Sequence, residues 1–265
     1  MPNIPEKIVV TGIGCLASPG IGKEALWKGL VSQKTGLQLE EFNAENESWG
    51  KFFLHKLSGF DINDFGIDRV VLQDIKNWKD GDEVIDLYIL LAAVRLAISD
   101  SKISYDRGDN RIALVVSHEN PGLEHYFSKI IDNISAMLKN KESYKMNKRE
   151  TFRIFIDKLM KSSFELQTFM PLFHIAKTFG IHGYSLFLNN ACASGLYGLE
   201  AASQIIRSGR SPAAIVVAAD YPRYYKYLWF EKLKMYAPDG KIRPFARDAA
   251  GFALGDAGAA LLLED

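Results

Sequence analysis

The sequence predicts an α/β protein with a mostly parallel β-sheet that is covered by helices on both faces. Strand-length segments that are continuously apolar alternate along the chain with segments of helical periodicity, a pattern typical of strands buried on both faces. The chain of 265 residues is long enough to bury a sizeable core. Because no short repeat, low-complexity segment or linker interrupts it, we expect one domain over residues 1–265.

Five apolar segments predict the strands of this sheet. In the first, residues 7–11, the strand is closed by a turn at Gly12 and Gly14. The remaining four are buried-type strands at residues 111–117, 184–188, 213–219 and 258–265. Nothing follows the last strand to cover its sheet, which suggests that the fold continues in another polypeptide.

Apolar residues at helical spacing predict the covering helices. The clearest helix spans residues 83–99, and further helices are predicted at 23–31, at 169–179 and from Cys192 towards Gly209. Between residues 33 and 80 no period is sustained, so we expect irregular structure there. Residues 123–165 are predicted to form a charged helical insertion.

Composition excludes several classes of protein. Lys plus Arg equals Asp plus Glu at 32 each, whereas a general nucleic-acid binder would carry a basic excess. Two isolated cysteines indicate a reducing compartment rather than a disulfide framework, and no Cys/His spacing fits zinc. The chain has no hydrophobic signal region and no apolar run of membrane length. We therefore expect a cytoplasmic protein without membrane insertion, metal or cofactor; Gly12-Ile13-Gly14 lacks the third glycine of a dinucleotide fingerprint.

The segment around Cys192 carries the strongest chemical signal. A short strand, a tight elbow and a helix of small residues place the Cys192 thiol at a helix N-terminus. The free amides and the positive dipole end of such a helix favour thiolate over thiol and can stabilise an oxyanion on a bound thioester. The alternative is that Cys192 is an inert core cysteine, since free cysteines are often buried.

Three blocks, in order, resemble the β-ketoacyl-acyl carrier protein synthases of the thiolase-like superfamily. Residues 9–14 (Val-Val-Thr-Gly-Ile-Gly) are similar to the opening of these enzymes, and residues 190–195 (Asn-Ala-Cys-Ala-Ser-Gly) to their nucleophile elbow. Residues 243–258, from Arg-Pro-Phe to Gly-Asp-Ala-Gly, resemble the block that closes their first half. The resemblance spans nearly the whole chain and implies one α/β half of the two-half thiolase-like fold.

The resemblance implies a ketosynthase reaction with Cys192 as the catalytic nucleophile. Cys192 would accept an acyl group from an acyl carrier protein, and a carbanion from malonyl carrier protein would attack that acyl-enzyme in a decarboxylative Claisen condensation. The Cys192 amide would be one oxyanion donor. Such enzymes elongate acyl chains in fatty-acid or polyketide biosynthesis and need no cofactor.

The catalytic histidines of the family belong to its second half, and this chain departs from the pattern. Its histidines are His55, His118, His125, His174 and His182, and none lies in the family's His-Gly-Thr-Gly-Thr or Gly-His context. We therefore predict a partner, a complementary ketosynthase C-terminal-half polypeptide that supplies the histidines, in a dimer or heteromer. A sequence that is a fragment of a longer product would show the same departure.

Two alternatives for the function remain open from the sequence. The first is a non-catalytic ketosynthase-like subunit, although such subunits usually lose the nucleophile and Cys192 is present. The second is an acyltransferase that uses Cys192 without decarboxylation, for which His118 at a strand end is the candidate base.

A basic stretch at residues 139–161 predicts either a docking surface for the acidic carrier or a solvated helix face. The aromatic run at residues 221–236 fits an acyl pocket, an interface or core packing.

Overall fold

The computed structural model of the chain confirms the predicted fold class, an α/β structure with helices on both faces of a mostly parallel central sheet. It describes residues 7–44, 47–78, 84–106, 108, 111–119, 122–123, 126–127 and 166–265, with positions 130, 149, 153, 156 and 160. The predicted helical insertion at about 123–165 and most of the basic stretch lie outside the described residues.

The elements follow one another in the order that positions the site. The strands are β1 (Val9–Ala17), β2 (Gly20–Ile21), β3 (Leu37–Ala44), β4 (Glu47–His55), β5 (Ile112–Ser117), β6 (Ser185–Leu188), β7 (Ala213–Asp220), β8 (Leu254–Gly255) and β9 (Ala257–Glu264). The helices with described bounds are α1 (Lys23–Val31), α2 (Arg69–Trp78), α3 (Ile85–Ser101), α4 (Phe169–Phe179), α5 (Ser194–Arg207) and α6 (Tyr224–Lys232). A 3-10 helix spans Ile62–Phe65.

The central sheet has six strands in the order β2-β1-β9-β7-β5-β6. The ladders between β5 and its two neighbours, β6 and β7, are parallel. β9 lies antiparallel between β1 and β7, so four of the six strands point in one direction and β2 and β9 point in the other. The last strand is therefore an interior strand of the sheet, flanked on both sides.

The core is divided by this sheet into two apolar layers. Helix α3 packs on one face against β1, β9 and β7, while α5 packs on the other face against β5, β6 and β7. Successive residues of β5 alternate between the layers: Leu114 and Val116 contact the α3 layer, and Val115 contacts the α5 layer. Burial on both faces explains why β5 is apolar at every position up to Ser117.

Two sequence expectations are corrected by the structure. The first strand continues to Ala17 through the glycines that we interpreted as a turn. A Cβ atom on Gly12 or Gly14 would collide with the backbone carbonyls of Ala97 or Ala93, so these glycines allow α3 to lie close to the strand.

The segment from 33 to 80, expected to be irregular, contains β3, β4, the 3-10 helix and α2. β3 and β4 form an antiparallel hairpin, and β4 also pairs in parallel with β8. Phe52 and Leu54 of this hairpin pack against Tyr227 and Leu254, which are distant in sequence. These long-range contacts stabilise strands whose local pattern is weak.

Candidate functional site

The carboxyl ends of β5, β6 and β7 lie side by side at one edge of the central sheet. Ser117 pairs with Leu188 on β6 and with Ala218 on β7. Ligands of open α/β sheets bind beyond the carboxyl ends of parallel strands, where the connecting loops meet. The loop after β6 carries Cys192, and the loops after β5 and β7 carry charged side chains, so this edge is the candidate site.

Cys192 occupies a tight elbow between β6 and α5, as the sequence predicted. Ala191 has a φ of 51°, and Asn190 forms an isolated bridge with Cys192. The amides of Ala193 and Ser194 donate to the carbonyls of Asn190 and Ala191 at 3.2 and 3.0 Å. These bonds turn the chain sharply, so the thiol lies immediately before α5, whose N-cap is Ala193.

Cys192 is exposed, which excludes the interpretation as an inert core cysteine. Helix α5 buries Gly198, Ala202 and Ile206 against the sheet, whereas Leu196 is 75% exposed on its outer side. The first turn of a helix offers amides without intrahelical partners and the positive end of the dipole. A helix end of this kind can stabilise negative charge on a group bound beside it.

Apolar side chains are exposed on the α5 side of the sheet. Gly12 and Gly14 of β1 face α3, so Ile13 between them points to the α5 side, where it is exposed. Ala257 and Ala259 of β9 are likewise exposed. Leu196 and Tyr197 are exposed on α5. We call the surface formed by Ile13, Ala257, Ala259, Leu196 and Tyr197 the open face.

His118 follows β5 but is poorly suited to act as a base. Its side chain is buried, and burial lowers its pKa to about 4, while the charges of Asp220 and Glu119 act in the opposite direction. Its Nε2 lies 3.8 Å from Oδ2 of Asp86, a carboxylate that accepts a hydrogen bond from the Gly122 amide at 2.5 Å. The ring is therefore neutral at pH 7 and a weak acceptor of protons.

The loop after β7 and helix α6 place a cation between two carboxylates. Lys226 Nζ lies 2.9 Å from Glu119 Oε2 and 2.5 Å from Asp220 Oδ1. Burial by itself lowers the pKa of Lys226, but the two carboxylates outweigh this effect and raise the pKa, so Lys226 stays charged. The ion pairs join the loops after β5 and β7 at the edge that carries Cys192.

A buried ion pair fixes the same loop to the start of β9. Arg223 donates to both carboxylate oxygens of Asp256, at 2.6 and 3.0 Å, and its guanidinium stacks 3.6 Å from the ring centroid of Tyr221. Asp256 Oδ2 also accepts from the Leu57 amide at 3.0 Å. Burial by itself lowers the pKa of Arg223, but the hydrogen bonds with Asp256 outweigh this effect and raise the pKa.

Neither a metal site nor a membrane span is found in the part of the chain that the structure describes. There, His, Cys, Asp and Glu side chains do not gather in groups of three or more that could hold a metal ion. Among the described helices, none combines the length and the apolar character needed to cross a membrane.

The comparison with known families matches residues 5–265 to the β-ketoacyl synthase N-terminal domain. The chain belongs to this family. This confirms the resemblance that the three sequence blocks indicated.

Several curated synthases are similar in sequence to about a third of this chain. The highly reducing polyketide synthase calA of Penicillium decumbens is 37% identical over 89 residues, 32% of this chain and 3% of the synthase. Erythronolide synthase EryA2 of Saccharopolyspora erythraea is 38% identical over 93 residues, 34% of this chain and 3% of the synthase. The chain thus spans a small part of the length of these relatives.

Solved structures of ketosynthases share the fold. The ishigamide ketosynthase/chain length factor has a TM-score of 0.75 at 21% identity, covering 97% of this chain and 58% of that chain. The ketosynthase ApeO in complex with its chain length factor ApeC, from Xenorhabdus doucetiae, has a TM-score of 0.72 at 19% identity, covering 100% of this chain and 60% of its own. The β-ketoacyl synthase domain described here thus spans about three fifths of those chains.

Sequence reasoning missed three residues of the site edge, Ser194, Arg223 and Lys226. In the sequence Ser194 is one small residue of the Asn-Ala-Cys-Ala-Ser-Gly block, whereas in the structure its hydroxyl bonds to the elbow backbone. Arg223 and Lys226 lie within the aromatic run at residues 221–236, which we interpreted only through its aromatic side chains. Part of that run, Tyr227, Phe230 and Tyr236, packs with Phe52 beneath α6. The Gly-Asp-Ala-Gly block at 255–258 was a usable signal, because its aspartate is the partner of Arg223.

Proposed function

We propose that Cys192 is the acyl-accepting nucleophile of a ketosynthase that elongates carrier-bound acyl chains in fatty-acid or polyketide biosynthesis. The observation that carries the proposal is an exposed thiol immediately before the N-terminus of α5, in a chain of the β-ketoacyl synthase N-terminal domain family. The polyketide synthases among its relatives support the biosynthetic context.

The chemistry proceeds in two steps through an acyl-enzyme. The Cys192 sulfur attacks the thioester carbonyl of an acyl carrier protein, and the carrier thiolate leaves and takes up a proton. The Cys192 amide stabilises the oxyanion that forms in between. Loss of CO₂ from malonyl carrier protein then gives a carbanion, which forms the new C–C bond while the C–S bond breaks and Cys192 regains its proton.

The histidines for decarboxylation and condensation come, in this proposal, from a complementary ketosynthase C-terminal-half polypeptide. His118 is buried with a pKa of about 4, and His174 is buried in α4, so neither is available as a base at neutral pH beside the thiol. The open face is apolar, as expected of a surface that another α/β unit covers, and its residues Leu196 and Tyr197 follow Cys192 closely in the chain. Covering it would enclose the thiol in a pocket built from both halves.

Intact-mass spectrometry tests the nucleophile directly. The purified chain is incubated with an acyl carrier protein thioester, with and without the candidate C-terminal half, beside Cys192→Ala as a control. We expect a mass increase of one acyl group that the C192A variant lacks. Cys192 would not be the nucleophile if C192A gained the same mass.

The remaining functions correspond to different results of the same experiment. A non-catalytic subunit is not acylated with or without the C-terminal half, and the C192A variant supports product formation as well as the wild type does. An acyltransferase that uses His118 as its base acylates without the second half, and His118→Ala abolishes this reaction. The burial and low pKa of His118 disfavour this last outcome.

A further inference from the structure

The hydroxyl of Ser194 closes the elbow that contains Cys192. Its Oγ donates a hydrogen bond to the carbonyl of Ala191 at 2.7 Å and accepts one from the amide of Asn190 at 2.7 Å. Both partners belong to the two residues that precede the thiol. With 8% of its surface exposed, Ser194 makes these bonds largely shielded from water, where losing them is costly.

The backbone that these bonds hold is strained. Ala191 has a φ of 51°, a left-handed conformation that is unfavourable for a residue with a Cβ atom. Such a conformation persists when its surroundings over-determine it. Besides the Ser194 hydroxyl, the Asn189 side chain contributes, because its Oδ1 accepts from the Ala191 amide at 3.3 Å.

Ser194 is also the residue through which the elbow is fixed to the sheet. Ser117, the last residue of β5, donates from its Oγ to the backbone carbonyl of Ser194 at 3.1 Å. Gly198, one turn further along α5, has no Cβ and so leaves room for the Ser117 side chain. The first turn of α5 is thereby held against a fully buried strand, and the Ser194 hydroxyl extends that support to the elbow.

We propose that Ser194 is a positioning residue that keeps the Cys192 thiol at the amide end of α5; its role in catalysis rests on the proposed function of Cys192. Without the hydroxyl, the Asn190 amide and the Ala191 carbonyl lose this partner, and Ala191 can relax towards negative φ. The direction in which Cys192 leaves the backbone then changes. Displacement of a reacting group by about 1 Å can cost about 100-fold in rate.

The rate of Cys192 alkylation by iodoacetamide, measured from pH 6 to pH 10 on the full chain, tests the proposal without any carrier or partner. Peptide mass spectrometry separates Cys192 from Cys15, the second thiol. The variants are Ser194→Ala, Ser194→Thr and Ser203→Ala. S203A is the matched control, because Ser203 makes the same kind of bond, from Oγ to the Leu199 carbonyl at 2.8 Å, further along α5.

We expect S194A to slow alkylation of Cys192 several-fold and to change its pH profile, because a thiol that moves away from the amide end of α5 is less activated. S194T and S203A should stay within about twofold of the wild-type rate. Thermal unfolding of every variant checks that the fold is intact. Alkylation of S194A at the wild-type rate overturns the proposal. So does equal slowing of S194T and S194A at unchanged unfolding temperature, since the hydroxyl would then not be the cause.

The two proposals fail in different ways. If the wild-type chain is never acylated but S194A still slows alkylation, the ketosynthase function is wrong and the positioning of the thiol by Ser194 stands. If the wild-type chain is acylated and S194A reacts normally, the function stands and the role of Ser194 is wrong.

Discussion

At the scale of single residues, two ion pairs of similar geometry differ in their surroundings. The Arg223 and Asp256 side chains are 15% and 1% exposed, and their pair joins the loop after β7 to the start of β9. The Arg243–Asp239 pair has a 2.6 Å contact as well, but its side chains are 29% and 46% exposed. Removal of one partner from a buried ion pair strongly lowers the free energy of unfolding, because water cannot solvate the charge that remains.

The first prediction concerns Asp256→Asn. This change leaves the Arg223 guanidinium buried without its counter-charge, so we expect the free energy of unfolding to fall by about 3 kcal/mol. Urea denaturation followed by circular dichroism measures the difference. The matched variant Asp239→Asn, in the exposed pair, should unfold at the wild-type urea concentration. Equal effects of the two variants would contradict the role of burial.

At the scale of elements, the contact between β1 and α3 is set by residues without side chains. Gly12 and Gly14 lie beneath the α3 backbone at Ala97 and Ala93, and the burial of the sheet depends on this close approach. In the sequence, Gly-Ile-Gly indicates a turn, because glycine is common in turns. Only the helix above the strand reveals the other use of glycine, which is to let two backbones approach.

The second prediction concerns Gly14→Ala. The added Cβ would collide with the Ala93 carbonyl, so β1 and α3 must move apart, and we expect a loss of about 1–3 kcal/mol in stability. The control is Gly195→Ala in α5, where no heavy atom lies within 4 Å of the added Cβ. A helical Gly→Ala change in open space should be neutral or stabilising by up to about 1 kcal/mol. Urea unfolding of both variants provides the comparison, and a G14A protein as stable as G195A would refute the close-packing role.

At the scale of the whole molecule, one side of the sheet is only partly covered by the described residues. Helix α5 covers β5, β6 and β7, but β1 and β9 expose Ile13, Ala257 and Ala259 on that side. Leu196 and Tyr197 of the open face follow Cys192 closely in the chain, so a partner that covers this face would also approach the thiol. Enclosure matters chemically because hydrogen bonds to an oxyanion are stronger where water is excluded.

The third prediction concerns Leu196→Arg on the open face. A charge at this position should weaken the proposed complex with a C-terminal-half polypeptide at least tenfold and leave the unfolding temperature of the chain unchanged, because Leu196 is 75% exposed. Co-elution in size-exclusion chromatography and titration by calorimetry measure the complex. The control is Val70→Arg on α2, an equally exposed apolar residue on the α3 side of the sheet, at 69%. Equal binding by the two variants would place the partner elsewhere.

Local pattern predicted those elements whose own residues specify them. The bounds of α1 and α4 agree with the sequence, and the buried strands around β5 and β7 agree within a residue, since burial on both faces leaves a continuous apolar run. The β3–β4 hairpin was missed because Phe52 and Leu54 are stabilised by Tyr227 and Leu254, which no local window contains. The thiol at a helix N-terminus was predictable, but the Ser194 hydroxyl bonds depend on the actual path of the elbow.

The sequence by itself determined the fold class, the family and the position of Cys192 between a strand and a helix. These follow from periodicity and from short blocks of residues, which are local properties of a chain. Only the tertiary structure decided that Cys192 is exposed, that His118 is buried and neutral, and that Arg223 pairs with Asp256. Burial and charge pairing depend on which distant segments meet, and a linear pattern does not record those meetings.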